Sequence, residues 1–145
     1  MKHLLLCLIS VLMFSACTSH RINSDERLIS VRFKTDPLDH TLEEAIDQLE
    51  FTATPASAFK ISRLPHDWSA SFNSSSTHRV ATCSLTAEHA SSALSTIREL
   101  DNVIFLRVAK ADLPHLKVSA KIWTTRGPEG PGRIVTLDTH QFILK

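Results

Sequence analysis

The sequence predicts an α+β domain in which two amphipathic helices pack on a mixed or antiparallel sheet, closed by a C-terminal β-hairpin. Three observations carry this expectation: apolar stripes at helical spacing in residues 40–51 and 87–100, alternating apolar and polar residues between them, and a glycine- and proline-rich cluster near the end.

The first strand is "LISVRFK", residues 28–34, which alternates as a half-buried strand should and stops before Asp36-Pro37. "HTLEEAIDQLEF" follows, with Leu42, Ala45, Ile46 and Leu49 at the i, i+3, i+4, i+7 positions of one helix face. Thr41 and Glu44 have the spacing of a capping box, which would satisfy amide donors at the helix start. "SAFKIS" reads as a short strand and "WSASF", after Pro65, as another, with "SSST" before His78 as a loop. "HRVATCSLT" alternates again, with Val80, Thr82 or Cys83, and Leu85 competing for the inward face. In "AEHASSALSTIREL", Ala90, Ala93, Leu94, Ile97 and Leu100 form a second helical stripe, and Glu88 and Arg98 suit the two ends of a helix dipole. "NVIFLRVA" is short, apolar and bounded, as a central strand is. All three glycines, Gly127, Gly130 and Gly132, sit with Pro128 and Pro131 in "RGPEGPGR", between "HLKVSAKIWTT" and "RIVTLDTHQFIL". That concentration marks a turn between two long strands over residues 116–144.

The N-terminus is different in kind. Lys2 and His3 precede an apolar run from Leu4 to Phe14, and Ser15-Ala16 supply the small residues of a cleavage site. The run falls short of the roughly 20 residues a spanning helix needs, so residues 1–16 read as a signal peptide. "FSAC", Phe14 to Cys17, resembles the lipobox of bacterial lipoprotein precursors. That resemblance implies a diacylglycerol on the Cys17 thiol, cleavage before it and acylation of the new amino terminus. Thr18 in the following position implies outer-membrane sorting, facing the periplasm. Each buried methylene contributes about 0.8 kcal/mol, so two or more chains anchor stably where one does not. Residues 17–27, lipidated Cys and "TSHRINSDER", are polar and aperiodic and read as a tether, leaving residues 28–145 as one domain.

Cleavage leaves 129 residues, and the formal charge falls from +1 to 0 as Lys2 departs. A neutral chain offers no field for nucleic acid. With Cys7 in the signal and Cys17 lipidated, Cys83 is the one remaining thiol, so no internal disulfide forms and Cys83 reads as a small apolar filler.

Residues 29–108 also resemble, in pattern, the small βαββαβ modules found at the start of secretin channels and of signalling TonB-dependent receptors. The pattern is carried by "SVRFKTDPLDHTLEEAIDQLE" and "RVATCSLTAEHASSALSTIREL". It implies a βαββαβ unit over residues 28–109 that binds other proteins by strand edges or helix faces and performs no chemistry.

Motifs for catalysis are sparse. Of the eight histidines seven would survive cleavage, and the nearest pair, His78 and His89, is 11 residues apart. Metal ligands usually come at much closer spacing, so no metal or cofactor is expected. Serines are plentiful, but no G-x-S-x-G occurs and glycine is confined to residues 127–132. "RLPHDW" resembles a short motif of the sugar-binding domain of family 2 glycoside hydrolases, and His66, Asp67 and Trp68 together form a possible recognition spot. Lys117 and Lys121 on the late strand read as charges that discourage edge pairing. The expected protein is therefore an envelope lipoprotein without catalytic residues, held to the membrane through its lipid and bound to an envelope protein. The alternative is a tethered enzyme acting on envelope polymers or glycans at His66-Asp67-Trp68.

Overall fold

The structure is a computed structural model that describes residues 24–34, 44–125 and 132–145. Cys17, Thr41, the signal segment and most of the glycine-rich loop lie outside those residues. Among the described residues the chain forms nine strands and one α-helix, arranged as two antiparallel sheets packed face to face. The expected α+β layer of two helices on one sheet is thus replaced by a β-sandwich, and the βαββαβ unit implied for residues 28–109 is not formed.

β1 (Glu26–Phe33) lies where alternation placed it. The segment expected as the first helix is β2 (Ala45–Thr54). A bulge between Ile46 and Gln48 explains the error. Skipping one residue in the ladder turns Ile46 and Leu49 to the same face, so a strand reproduces the i, i+3 spacing of a helix. Beyond the bulge, Leu49, Phe51 and Ala53 are buried at strict period two. Glu44 does not cap a helix: its carboxylate accepts from Arg133 Nε at 3.1 Å.

β3 (Ala58–Ile61), β4 (Trp68–Ser75) and β5 (Val80–Ser92) follow. Ala81, Cys83 and Leu85 are the inward residues of β5, so Val80 and Thr82 lose that competition. The second expected helix is real only in its latter half, α1 (Ala93–Leu100), because residues 87–92 continue β5 and pair irregularly with β2. Ala93, Thr96, Ile97 and Leu100 are its buried stripe. Asp101 then ties the end of α1 to β1, accepting from the Phe33 amide and from Arg32 Nη2, each at 3.2 Å.

β6 (Ile104–Ala109) is the expected central strand, and a 3-10 helix over Lys110–His115 carries the chain across to β7 (Lys117–Thr125). β7 pairs with β8 (Ile134–Leu137) as the hairpin predicted. Gly132 belongs here because an added Cβ would collide with the Thr124 carbonyl oxygen. The second arm is not one strand, however. Asp138 and Gln141 form a capping box around a 3-10 turn, and β9 (Phe142–Leu144) crosses to the other sheet to pair with β1. Thr139 pins this crossing: its hydroxyl donates to the Val118 carbonyl at 3.0 Å and accepts from the Val118 amide at 3.1 Å.

The narrower sheet has the order β3-β6-β1-β9 and the wider one β4-β5-β2-β7-β8. Phe33, Phe59 and Phe142 from the first meet Phe51 from the second, with ring centroids 5.9–6.3 Å apart in tilted or edge-on pairs, and Phe33 and Phe142 also meet each other at 5.4 Å. Lys121 lies where β7 is paired on both sides, so it does not guard an edge and stands opposite Glu50 on the outer face, a favourable cross-strand pair; Lys117 precedes the stretch that pairs with β8.

Candidate interaction surface

A sandwich of two open sheets has four edge strands, each with unpaired amides and carbonyls that must be shielded or used. Here the edges are β3 and β9 in one sheet and β4 and β8 in the other. β3 has four residues and an exposed Lys60. β8 also has four and follows Arg133; β9 has three and is followed by Lys145. Short length and adjacent charge blunt all three. β4 is eight residues long, and "WSASFNSS" contains neither a charge nor a proline.

Its packing is equally unusual. Cross-strand registration places Phe72, Cys83, Phe51, Ala120 and Leu137 in one row on the inner face of the wide sheet. The last four are buried, yet Phe72 is 53% exposed. The narrower sheet has one strand fewer and ends at β3, which lies against β4 and β5 without roofing the centre of β4. The wide sheet therefore overhangs at this edge and shows an aromatic ring of its interior face to solvent. On the other face Ser69, Ser71 and Asn73 stand opposite Thr86, Ser84 and Thr82, a hydroxyl-lined surface.

Both ends of β4 are fastened. At its start the Trp68 amide donates to the Pro65 carbonyl at 3.3 Å, and the Glu88 amide donates to the Asp67 carbonyl at 3.0 Å. At its far end the turn to β5 is held by Arg79, whose carbonyl accepts from the Ala56 amide at 2.7 Å and whose guanidinium pairs with Asp112. Asp67 and Arg79 have φ of 62° and 51°, so the two turns bounding the strand are set by residues in the left-handed region. An edge held this way loses little freedom when a partner strand pairs with it.

The sequence motif at the start of β4 is divided by the fold. His66 Nδ1 lies 2.8 Å from Asp67 Oδ1, but the His66 side chain is 93% exposed and Trp68, at 8%, is turned into the core. The three do not share a cleft. A concavity lies elsewhere, a groove of about 550 Å³ bordered by Thr52, Thr54, Lys117, Ser119, Asp138 and His140. It is open to solvent, and Asp138 is already engaged in its capping box. Among the described residues no three His, Cys, Asp or Glu side chains gather to hold a metal ion, and no helix is long and apolar enough to cross a membrane. Cys83 is sealed between β4 and β2, and burial pushes its thiol from 9.0 up to about 12, which keeps it protonated and unreactive.

Phe72 was not singled out by motif reasoning. Its signal was present, an eight-residue strand without a charge, but only the topology makes that strand an edge. Comparison of the chain with family models, with curated proteins and with solved structures found no match.

Proposed function

We propose that the protein is a lipid-anchored, periplasm-facing envelope lipoprotein that acts as a non-catalytic assembly module and docks through β4. The observation that carries this reading is the unguarded β4 edge with Phe72 exposed beside it, the arrangement that strand addition uses: main-chain hydrogen bonds supply affinity and a side-chain contact supplies selectivity. The lipobox FSAC and the polar stretch after it support a domain tethered at Cys17 and held close to a membrane, where its partner is an envelope protein. The alternative of an enzyme at His66, Asp67 and Trp68 lacks support in the geometry, since two of the side chains face solvent and the third enters the core.

Two measurements test the proposal. Intact mass of protein from its native host is expected to show a chain beginning at an acylated Cys17, and a Cys17→Ser form is expected to leave the membrane fraction. Affinity capture from solubilised envelopes is expected to recover a stoichiometric partner with the wild-type chain and to lose it with Ser74→Pro, which removes an outward-facing edge amide while leaving the Asn73–Thr82 pairing to β5 in place. An unmodified Cys17 refutes the anchor; capture indifferent to β4 refutes the docking strand.

A further inference from the structure

We propose that the strand added to β4 is β4 of a second copy of this chain, joining two five-stranded sheets into one ten-stranded sheet across a two-fold axis. This rests on the reading of β4 as the docking edge and names its partner.

Antiparallel edge pairing between identical strands is isologous, so the strand must be complementary to its own reverse. Most edges fail this test because any charge is brought near its own copy. β4 passes: no residue from Trp68 to Ser75 is charged, so nothing is repelled across the axis. The charges that flank it are engaged within the same copy, Asp67 beside His66 and Arg79 with Asp112, so reversal sets no unpaired like charges together.

The register follows from the faces. A two-fold perpendicular to the sheet keeps the interior faces of both copies on one side and sets one residue opposite its own copy. Centring the axis on Phe72 pairs residues 69–75 of each strand, with Ser71 opposite Asn73 and Ala70 opposite Ser74. It also places the two Phe72 rings together on the interior side. That position lies between the β3 edges of the two narrower sheets, in the gap left where β3 does not cover Phe72. The exposed ring thus gains the cover that its own copy withholds, and the hydroxyl-lined outer surface runs unbroken across the junction.

The test uses the full-length chain as its host produces it, extracted in mild detergent and examined by sedimentation equilibrium and by oxidative cross-linking. The wild-type chain is expected to dimerise, and Phe72→Lys, which sets two ammonium groups on the axis, is expected to weaken dimerisation at least about ten-fold. Phe72→Cys is expected to give a disulfide-linked dimer on oxidation, whereas Ile134→Cys on the β8 edge is expected to give none. A thermal melt at high dilution separates misfolding from lost association, since Phe72→Lys is expected to melt cooperatively and only about 4 °C below the wild-type monomer. A wild-type chain that stays monomeric, a dimer unaffected by Phe72→Lys, or cross-linking through Ile134 instead of Phe72 overturns the proposal. A monomer that still captures an envelope protein through β4 overturns self-pairing alone and leaves the docking strand standing.

Discussion

Phe51 and Phe72 flank Cys83 in one row of the wide sheet, and truncating each to alanine measures how far the narrower sheet reaches. Phe51 is 0% exposed and its ring meets those of Phe33, Phe59 and Phe142 at 5.9, 6.3 and 6.3 Å. Phe→Ala at such a site costs about 3–5 kcal/mol, and three ring partners put Phe51→Ala in the upper half of that range. Full burial of a phenylalanine contributes at most about 3 kcal/mol, so half-buried Phe72 is expected to lose only about 1 kcal/mol as a monomer. At about 4 °C per kcal/mol for a domain of this size, the expected falls in Tm are about 16 °C and about 4 °C. Urea unfolding followed by circular dichroism at two protein concentrations is the assay. A Phe72→Ala loss equal to that of Phe51→Ala at high dilution refutes the overhang, because it means the β4 face is already covered within one copy.

Cys83 is expected to resist thiol reagents at pH 8 in the folded chain and to react at once on unfolding. Because its folded pKa is raised, from 9.0 to about 12, its contribution to stability is full below pH 9 and is lost as pH rises towards about 12, seen as a falling urea midpoint. A midpoint unchanged over that window, or one restored to pH independence by no Cys83→Ala control, contradicts the assignment. Asp101→Ala is expected to destabilise by about 1–2 kcal/mol, reduced from the buried value because the ion pair is partly exposed. A double-mutant cycle with Arg32→Ala checks that the loss is shared by β1 and the end of α1. Thr139→Val is expected to cost about 1–2 kcal/mol and to speed hydrogen exchange at the Val118 amide, whose hydrogen bond it removes.

Residues whose direction depends on near neighbours were legible. Alternation located β1 and the start of β5, a short bounded apolar run located β6, and the glycine and proline cluster marked the break between β7 and β8. The first helix was not, because a strand interrupted by a bulge and a helix both set Ile46 and Leu49 on one face; bulge or helix is decided by whether β5 and β7 are there to pair. For the candidate surface, the uncharged run "WSASFNSS" was on the page, while motif reasoning stopped at the neighbouring His66-Asp67-Trp68, which the fold splits between solvent and core.

By itself the chain determined which segments alternate, where it turns, that Cys83 serves as interior packing and that β4 carries no charge. These properties depend on side chains a few residues apart. Tertiary structure alone decided that β4 is an edge and β7 a centre, that the chain changes sheets at Asp138, and that the narrower sheet stops short of Phe72. Edge and cover depend on ladder partners far away in sequence, such as Phe51 with Ala120 or Val31 with Leu144, and local spacing does not encode those pairings.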